Sequence, residues 1–265
     1  MARPPRILAV ALCAGGLTAC GTPAPAGPAT SAAPAGHLPK PAALVTGSRG
    51  VNVSSAQGTI DWSQVAGSDI RFALVRASDG SQADPDFQRN YDDARANGLR
   101  AGAYHRIEPQ PGSSSARDAQ AQKEAKVFVA AVGKRSKPGD IIPTVDVEPP
   151  FGGLTEPQVV QYVALWTSEV EKALGVKAMI YTDADEWRQY AGDSGAAAAD
   201  GHPLWIADLE NAPPALPAGN WGGRGWAFWQ RIEREDIPGI HTIVDVNVFG
   251  LKKPGPVLLK GRASE

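Results

Sequence analysis

The chain of 265 residues carries a formal net charge of −2 and is long enough for one large domain with short appendages. Its charges are unevenly spread. Residues 1–47 contain three Lys and Arg and no Asp or Glu, whereas residues 48–265 contain 23 Lys and Arg against 28 Asp and Glu. The acidic second part has no basic stripe of the kind that neutralises phosphates, which argues against nucleic acid as a partner. All 18 aromatic residues lie at or beyond Trp62, so the core is expected there.

The N-terminus has the pattern of an export signal. Arg3 and Arg6 precede an apolar run. This run is too short for a membrane-spanning helix, which needs about 20 residues. This run ends in Leu17-Thr-Ala-Cys20, which resembles the lipobox of bacterial lipoproteins. We therefore predict a signal peptide over residues 1–19 and a lipid on Cys20 that anchors the protein to the outer face of the cytoplasmic membrane. Without that lipid, the protein is expected to be secreted.

Composition also predicts the domain boundaries. Residues 21–43 hold six Pro and eight Ala, so residues 20–47 are predicted to form an extended tether. A single domain over residues 48–252 and a C-terminal tail over residues 253–265 would follow. Cys13 would leave with the signal peptide, so the domain would have no disulfide and would depend on its core alone.

Eight short segments rich in β-branched and aromatic residues recur along the domain and are predicted strands. They are residues 50–53, 72–76, 100–104, 141–147, 178–181, 204–207, 227–230 and 243–246. Helix signals separate several of them. Asp84-Pro85 marks the start of a helix that stops at Gly98, and a second helix is predicted over residues 116–132. Thr155-Glu-Pro-Gln158 has the form of a capping box for a helix that stops at Gly175.

Alternating strands and helices predict an α/β fold with a parallel sheet, and eight strands favour a closed barrel over an open sheet. Connections after Leu204 leave little room for helices, so an incomplete, TIM-like (β/α)8 barrel is expected. Reactive groups of such barrels project from the C-terminal ends of the strands. The polar residues at these ends are Asn52, Arg76, Tyr104, His105, Asp146, Glu148, Tyr181, Asp208, Gln230 and Asp245. One shared cleft is the simplest explanation for so many polar strand ends.

The most informative segment is Pro143-Thr-Val-Asp146-Val-Glu148. Residues i and i+2 of a strand face the same side, about 6.5 Å apart, so Asp146 and Glu148 are predicted to point into the barrel mouth together. Two neighbouring carboxylates repel each other, and one of them should keep its proton to higher pH. This is the arrangement that glycoside hydrolysis uses, with one acid for the leaving oxygen and a second for the anomeric carbon.

Two alternatives to a hydrolytic acid pair remain open at this point. The pattern is equally compatible with a strand end that carries two solvated acids. A metal site is disfavoured, because the four His residues are scattered and no paired Cys completes a ligand set. Neither a metal nor another cofactor is therefore predicted.

A set of seven motifs, in order along residues 49–250, resembles the lysozymes of glycoside hydrolase family 25, the N-acetylmuramidases. The motifs are Gly50-Val-Asn-Val-Ser-Ser-Ala-Gln-Gly58 with Ile60-Asp-Trp62, Phe72-Ala-Leu-Val-Arg-Ala-Ser78, Gly98-Leu-Arg-Ala-Gly-Ala-Tyr-His105, Val145-Asp-Val-Glu148, Leu204-Trp-Ile-Ala207, Phe228-Trp-Gln230 and Val244-Asp-Val-Asn247. The resemblance implies a flattened β/α barrel that cleaves the β-1,4 bond between N-acetylmuramic acid and N-acetylglucosamine in peptidoglycan. The glycan strands would then be the partner, and a monomer is expected.

By position, the resemblance assigns general acid/base catalysis to Glu148. Asp146 would stabilise the positive charge that develops at the sugar, by orienting the N-acetyl group of the substrate as internal nucleophile. Asp245 would be a further active-site carboxylate. Substrate contacts are predicted for Tyr104, Tyr181, Trp205, Arg76, Asp208 and Gln230. For the three aromatic residues a core position is an equally valid interpretation, and Arg76 is equally suited to bracing the barrel.

The sequence departs from the family at the end of the first strand, where Asn52 stands in place of Asp. An Asn keeps the shape and hydrogen-bonding reach of Asp but has no charge with which to raise the pKa of a neighbouring acid. Two hypotheses follow: an enzyme with weakened or acid-shifted activity, or an inactive cell-wall lipoprotein that binds glycan.

Overall fold

The computed structural model describes residues 39–133, 136–253 and 255–260, except for the side chains of residues 232–234. The predicted signal peptide, Cys20 and most of the predicted tether lie outside these residues. None of the helices in the described part is both long and apolar enough to span a bilayer.

The sheet contains nine strands, eight of which close into a barrel. They are β1 (Arg49–Val53), β2 (Ile70–Asp79), β3 (Gln82–Ala83), β4 (Arg100–Arg106), β5 (Thr144–Asp146), β6 (Met179–Asp183), β7 (Leu204–Ala207), β8 (Phe228–Glu235) and β9 (Val244–Phe249). Their order around the barrel is β1-β9-β8-β7-β6-β5-β4-β2, and pairing of β1 with β2 closes it. Strand β3 is a short antiparallel addition to β2. The predicted α/β barrel is confirmed.

Strand β9 differs from the prediction of an all-parallel barrel, because it runs antiparallel to both of its neighbours, β8 and β1. Only residues 236–243 connect β8 to β9, and a parallel return needs a crossover of a dozen residues or more. Asp245 therefore lies near the start of its strand, not at its C-terminal end. The reversed direction still brings it to the same end of the barrel, opposite Asn52.

The described residues form these helices around the barrel: α1 (Trp62–Gly67), α2 (Phe87–Ala96), α3 (Ser114–Val132), α4 (Glu156–Leu174), α5 (Ala184–Ala191) and α6 (Ala196–Asp200). Helix α4 begins with the predicted capping box at Thr155 and ends at Gly175, whose φ of 70° is in the left-handed region. Between β7 and β8, the chain forms a left-handed turn near Ala218–Gly222 in place of a long helix, as the short connections predict.

Helix α2 starts two residues later than the Asp84-Pro85 signal predicts. Its N-cap is Asp86, not Asp84. The Asp84 carboxylate instead accepts hydrogen bonds from the backbone N–H of Ser55 and Asp86, both at 3.0 Å, and from Arg76. Asp84 thereby joins the loop after β1 to β2, which is a tertiary contact that a local capping signal cannot reveal.

Alternation along the strands divides the apolar residues into two layers. Val145 and Val147 of the acid-pair segment face outward into the layer between barrel and helices, where both are almost fully buried. Residues such as Phe72 and Phe228 fill the barrel interior with edge-to-face rings 5.0 Å apart. Phe72 also occupies the space beside Gly50, where an added Cβ would lie 2.3 Å from its ring.

Both ends of the described chain cover the floor of the barrel, the end at which the parallel strands begin. Leu44 is 4% exposed and belongs to the interior cluster. The backbone N–H of Gly47 donates to Phe249 at 2.8 Å, and that of Ile142 donates to Val257 at 3.0 Å. Leu258 forms an antiparallel bridge with Ile141. The packed domain therefore extends beyond the predicted 48–252 at both ends, because the interior needs an apolar cover at its floor.

We expect Leu44→Ala to lower the free energy of unfolding by about 2–4 kcal/mol, because it removes buried methyl groups and leaves a cavity at the floor. Urea denaturation followed by circular dichroism measures this. The neighbouring Val45, which is 61% exposed, supplies the control: Val45→Ala should change stability by less than about 0.5 kcal/mol. Equal midpoints for the two variants would show that residues 39–47 do not support the domain.

Candidate active site

The mouth of the barrel, the end at which the parallel strands finish, brings together most of the predicted polar strand ends. Asp146 lies at the end of β5, in register with Arg106 of β4 and Tyr181 of β6. Asn52 of β1 lies opposite Asp245 of β9. These residues come from five strands of the barrel, as a shared cleft requires.

Asp146 and Glu148 form the acid pair at this mouth. Asp146 is 7% exposed and Glu148 is half-buried. Burial raises the pKa of Asp146 well above its usual range, and the charge of Glu148 raises it further. The Oδ1 atom of Asp146 is buried and has no hydrogen-bond partner among the described residues. A carboxyl group in this position holds a proton more readily than a solvated one.

Two charged residues that the sequence analysis did not select lie beside the pair. Arg106 lies in register with Asp146, and its positive charge lowers the pKa of that carboxyl. Its Nε is 3.0 Å from Oδ1 of Asp79, and Asp79 Oδ2 lies 3.3 Å from Arg76. Arg106 is two residues beyond Tyr104, so strand alternation, continued past the predicted strand end, would have identified it. Asp79 follows a bulge between Arg76 and Ser78, which no sequence signal marked.

Another acid, Glu186, acts on Asp146 from helix α5. This helix starts directly after β6, and the Asp183 side chain caps it by accepting from the backbone N–H of Asp185 at 2.8 Å and of Glu186 at 3.2 Å. The charge of Glu186 contributes to the raised pKa of Asp146. Sequence reasoning missed Glu186 because it lies on a helix and not at a strand end.

A chain of side-chain hydrogen bonds links Asp245 to the barrel interior. Asn52 Nδ2 donates to Asp245 Oδ2 at 3.2 Å, and Asn247 Nδ2 donates to Asn52 Oδ1 at 2.8 Å. Trp205 Nε1 donates to Asn247 Oδ1 at 2.7 Å. Asn247 was present in the quoted motif Val244-Asp-Val-Asn247 and shares a strand face with Asp245, so it was predictable from alternation alone.

The three predicted aromatic contacts form one cluster below the mouth. The ring centroid of Trp205 is 4.3 Å from that of Tyr181 and 6.1 Å from that of Tyr104. Burial raises the pKa of Tyr104, and the charges of Asp146 and Asp245 also raise it. Trp205 is 1% exposed, so its faces are covered by protein. The structure therefore gives Trp205 a core position rather than the predicted stacking surface.

Other predicted substrate contacts have structural partners. Arg76 pairs with Asp84 and Asp79 and braces β2. The Asp208 carboxylate accepts from the backbone N–H of Glu210, Asn211 and Ala215 within its own loop. Burial opposes ionisation of Asp208, but these hydrogen bonds outweigh it and lower its pKa. Both side chains stabilise the fold through these contacts. The sequence pattern alone did not indicate this role.

Gln230 lies inside the barrel and is 3% exposed. Its Oε1 has no hydrogen-bond partner among the described residues, so it keeps acceptor capacity.

His105 faces away from the mouth, because it follows the inward-facing Tyr104. It lies in the outer layer, where Ser78 Oγ is 2.8 Å from Nδ1 and Glu124 Oε2 is 3.2 Å from Nε2. Its ring stacks on Trp166 at 5.2 Å. Burial lowers the pKa of His105, although Glu124 opposes this. His105 is a fully paired structural histidine.

The arrangement at the mouth suits acid–base chemistry. Within the described residues, no group of three or more His, Cys, Asp or Glu side chains is placed to hold a metal ion. The acid pair instead offers a buried carboxyl next to one in partial contact with solvent, with a third carboxylate at Asp245. Such a set can protonate a leaving oxygen and stabilise a developing positive charge.

Comparison with known proteins supports this chemistry. Residues 51–240 match the family model described as glycosyl hydrolases family 25. The chain is 30% identical over 211 residues to Lysozyme M1 of Streptomyces globisporus, a match that covers 77% of this chain and 68% of that protein. It is 32% identical over 206 residues to the uncharacterized protein YegX of Escherichia coli K12, covering 76% and 68% of the two chains.

Solved structures agree with the fold. The bacterial lysozyme from Streptomyces coelicolor superposes with a TM-score of 0.69 at 26% identity and covers 79% of this chain and 95% of that one. The family 25 lysozyme from Aspergillus fumigatus shares the fold with a TM-score of 0.64 at 24% identity, over 77% and 94% of the chains. Since the family match spans almost all of β1 through β8, and with them the Asp146 and Glu148 pair, the chain belongs to glycosyl hydrolase family 25.

Proposed function

We propose that this protein is a peptidoglycan hydrolase that cleaves the β-1,4 bond between N-acetylmuramic acid and N-acetylglucosamine. The observation that carries the proposal is the acid pair at the mouth, in which the buried Asp146 and the half-buried Glu148 interact electrostatically. Family membership supports it, since the named relatives include lysozymes.

Glu148 is the general acid/base in this mechanism, because its partial exposure lets it reach a bound sugar. Its proton passes to the glycosidic oxygen as the bond to the anomeric carbon breaks. Asp146 lies two residues before Glu148 and is more deeply buried. It stabilises the positive charge that develops at the sugar by orienting the N-acetyl oxygen of the substrate for attack on the anomeric carbon. Water then attacks the anomeric carbon, the bond to the N-acetyl oxygen breaks, and Glu148 accepts the proton that this water loses. Asp245 supplies a further negative charge at the opposite side of the mouth.

The proposed location follows from the N-terminal motifs. Export through the signal peptide and a lipid on Cys20 would hold the protein at the outer face of the cytoplasmic membrane as a monomer. The described chain enters the domain at Pro39, near Gly98 on the floor side of the barrel.

Asn52 keeps a second candidate function open, a cell-wall protein that binds glycan without cleaving it. The family Asp at this position is replaced by a neutral amide, which removes one charge from the mouth. Binding of glycan without release of reducing ends would distinguish this candidate.

We expect Glu148→Gln to reduce the release of reducing ends from purified cell wall by about 10²- to 10⁴-fold, because Gln cannot transfer a proton. Glu171→Gln is the matched control. It removes a carboxylate that pairs with Lys177 near the far end of α4, and activity should be unchanged. Equal, measurable release by wild type and Glu148→Gln would contradict the assignment of Glu148 as the general acid/base. If neither wild type nor Glu148→Gln releases sugar and both proteins co-sediment with cell wall, the glycan-binding function replaces the hydrolase function.

The same substitution should lower the pKa of Asp146, because the negative charge of Glu148 that opposes ionisation is removed. That pKa should stay above the ordinary range for Asp, since burial is the larger cause. The measurement is a pH titration of the Asp146 carboxyl carbon by NMR, with Asp146→Asn used for assignment. An unchanged titration would show that the two groups are not electrostatically coupled.

A further inference from the structure

The hydrogen-bond chain from Trp205 through Asn247 and Asn52 to Asp245 has a direction that the donor chemistry fixes. An indole N–H donates and cannot accept. Trp205 Nε1 lies 2.7 Å from Asn247, so the atom of Asn247 that it meets must be the carbonyl oxygen. The NH₂ group of Asn247 is then the one that faces Asn52.

The same reasoning passes through Asn52. Its carbonyl oxygen must face the Asn247 NH₂ group, 2.8 Å away. Its own NH₂ group is thereby turned toward Oδ2 of Asp245, at 3.2 Å. Rotating either amide by 180° would set two donors or two acceptors against each other. The orientation of Asn52 is therefore set by Trp205, which is two hydrogen bonds away.

Burial stabilises the orientation of the two amides in this chain of hydrogen bonds. Trp205 is 1% exposed and Asn247 is fully buried, and a buried polar group that loses its partner costs about 1–3 kcal/mol. The Trp205 ring is held between Tyr181 and Tyr104. Backbone pairing places Asn52 directly opposite Asp245 in the antiparallel β1–β9 pair, so the last contact is held by the sheet.

The charge at position 52 decides what this contact does. A carboxylate there would lie against the Asp245 carboxylate, and two such groups share a proton. An amide N–H instead donates a charge-assisted hydrogen bond, which favours the ionised acid. Tyr104 interacts electrostatically with Asp245, and Arg76, Asp146 and Asp84 act on the same tyrosine. None of these four residues is changed in the variants below.

We propose that Asn52 is a positioning residue that holds Asp245 ionised and fixed at the mouth, with its amide oriented by Trp205 through Asn247. The change from Asp to Asn at position 52 therefore does more than remove a charge. It replaces the repulsion between two carboxylates by a hydrogen bond from the Asn52 amide to the Asp245 carboxylate. The part of this proposal that concerns catalysis rests on the proposed hydrolase function. The orientation of the Asn52 amide and the ionisation of Asp245 do not depend on that function.

The test is a carboxyl-carbon NMR titration of Asp245, assigned with Asp245→Asn, in wild type and two variants. Asn52→Leu removes the donor without adding charge, and Asn52→Asp adds the second carboxylate. Position 52 is only partly buried, so both variants are expected to fold. We expect the midpoint to rise from wild type to Asn52→Leu, and to rise by more than about one pH unit in Asn52→Asp. A midpoint that is unchanged in both variants would overturn the proposal.

The role of Trp205 has its own matched control. Trp205→Phe removes the donor that orients Asn247, so the Asp245 midpoint should move toward that of Asn52→Leu. Trp221 is equally buried, and its Nε1 donates to the His202 carbonyl at 2.7 Å, outside the chain of contacts. Trp221→Phe should leave the midpoint unchanged. Equal shifts in both Trp variants would overturn the orienting role, and if Trp205→Phe does not fold, the two Asn52 variants still decide the proposal.

The pH dependence of sugar release then tests the catalytic part separately. In Asn52→Asp, the acid limb should move to higher pH by the same amount as the Asp245 midpoint. A shifted midpoint with an unshifted acid limb would overturn the role of Asn52 in catalysis. Because the titration needs no turnover, an inactive wild type would refute the hydrolase function without affecting the result for Asp245.

Discussion

Closure of the sheet through β9 is the constraint on which the site depends. This strand pairs with β8 on one side and β1 on the other, antiparallel to both. It thereby completes the barrel without a crossover helix. Its start, not its end, reaches the mouth, and Asp245 meets Asn52 there. Without this reversed strand, the backbone polar groups of β8 and β1 would be exposed edges, and the mouth would lose one side of its charge distribution.

The acidic mouth is costly to the folded state. Asp146 is buried beside Glu148, and Glu186 and Asp79 add further negative charge. Arg106 offsets part of this charge from the neighbouring strand. The outer layer and the helices hold β5 in place, since Val145 and Val147 are anchored on its other face. The mouth thus keeps a buried carboxyl group of raised pKa beside Glu148, at the expense of stability.

Several residues that the sequence indicates as functional stabilise the fold instead. Asp208 organises the loop after β7, Arg76 braces β2, and His105 with Glu124 joins the barrel to α3. Each is a polar residue at a strand end, which is the pattern that selected the active acids as well. Arg76 and His105 are held by partners elsewhere in the chain, Asp84 and Glu124, which the strand pattern alone does not identify.

The sequence by itself determined the strand and helix alternation, the capping box of α4, the barrel class and the inward direction of Asp146 and Glu148. These features depend on local periodicity and on residues close together in the chain. Only the tertiary structure decided the reversed direction of β9, the cover of the floor by both ends of the domain, and the neighbours of Asp146. It also decided which way the amide of Asn52 faces. That orientation results from Trp205, 153 positions further along the sequence, because hydrogen-bond donors and acceptors must match across strands that only folding brings together.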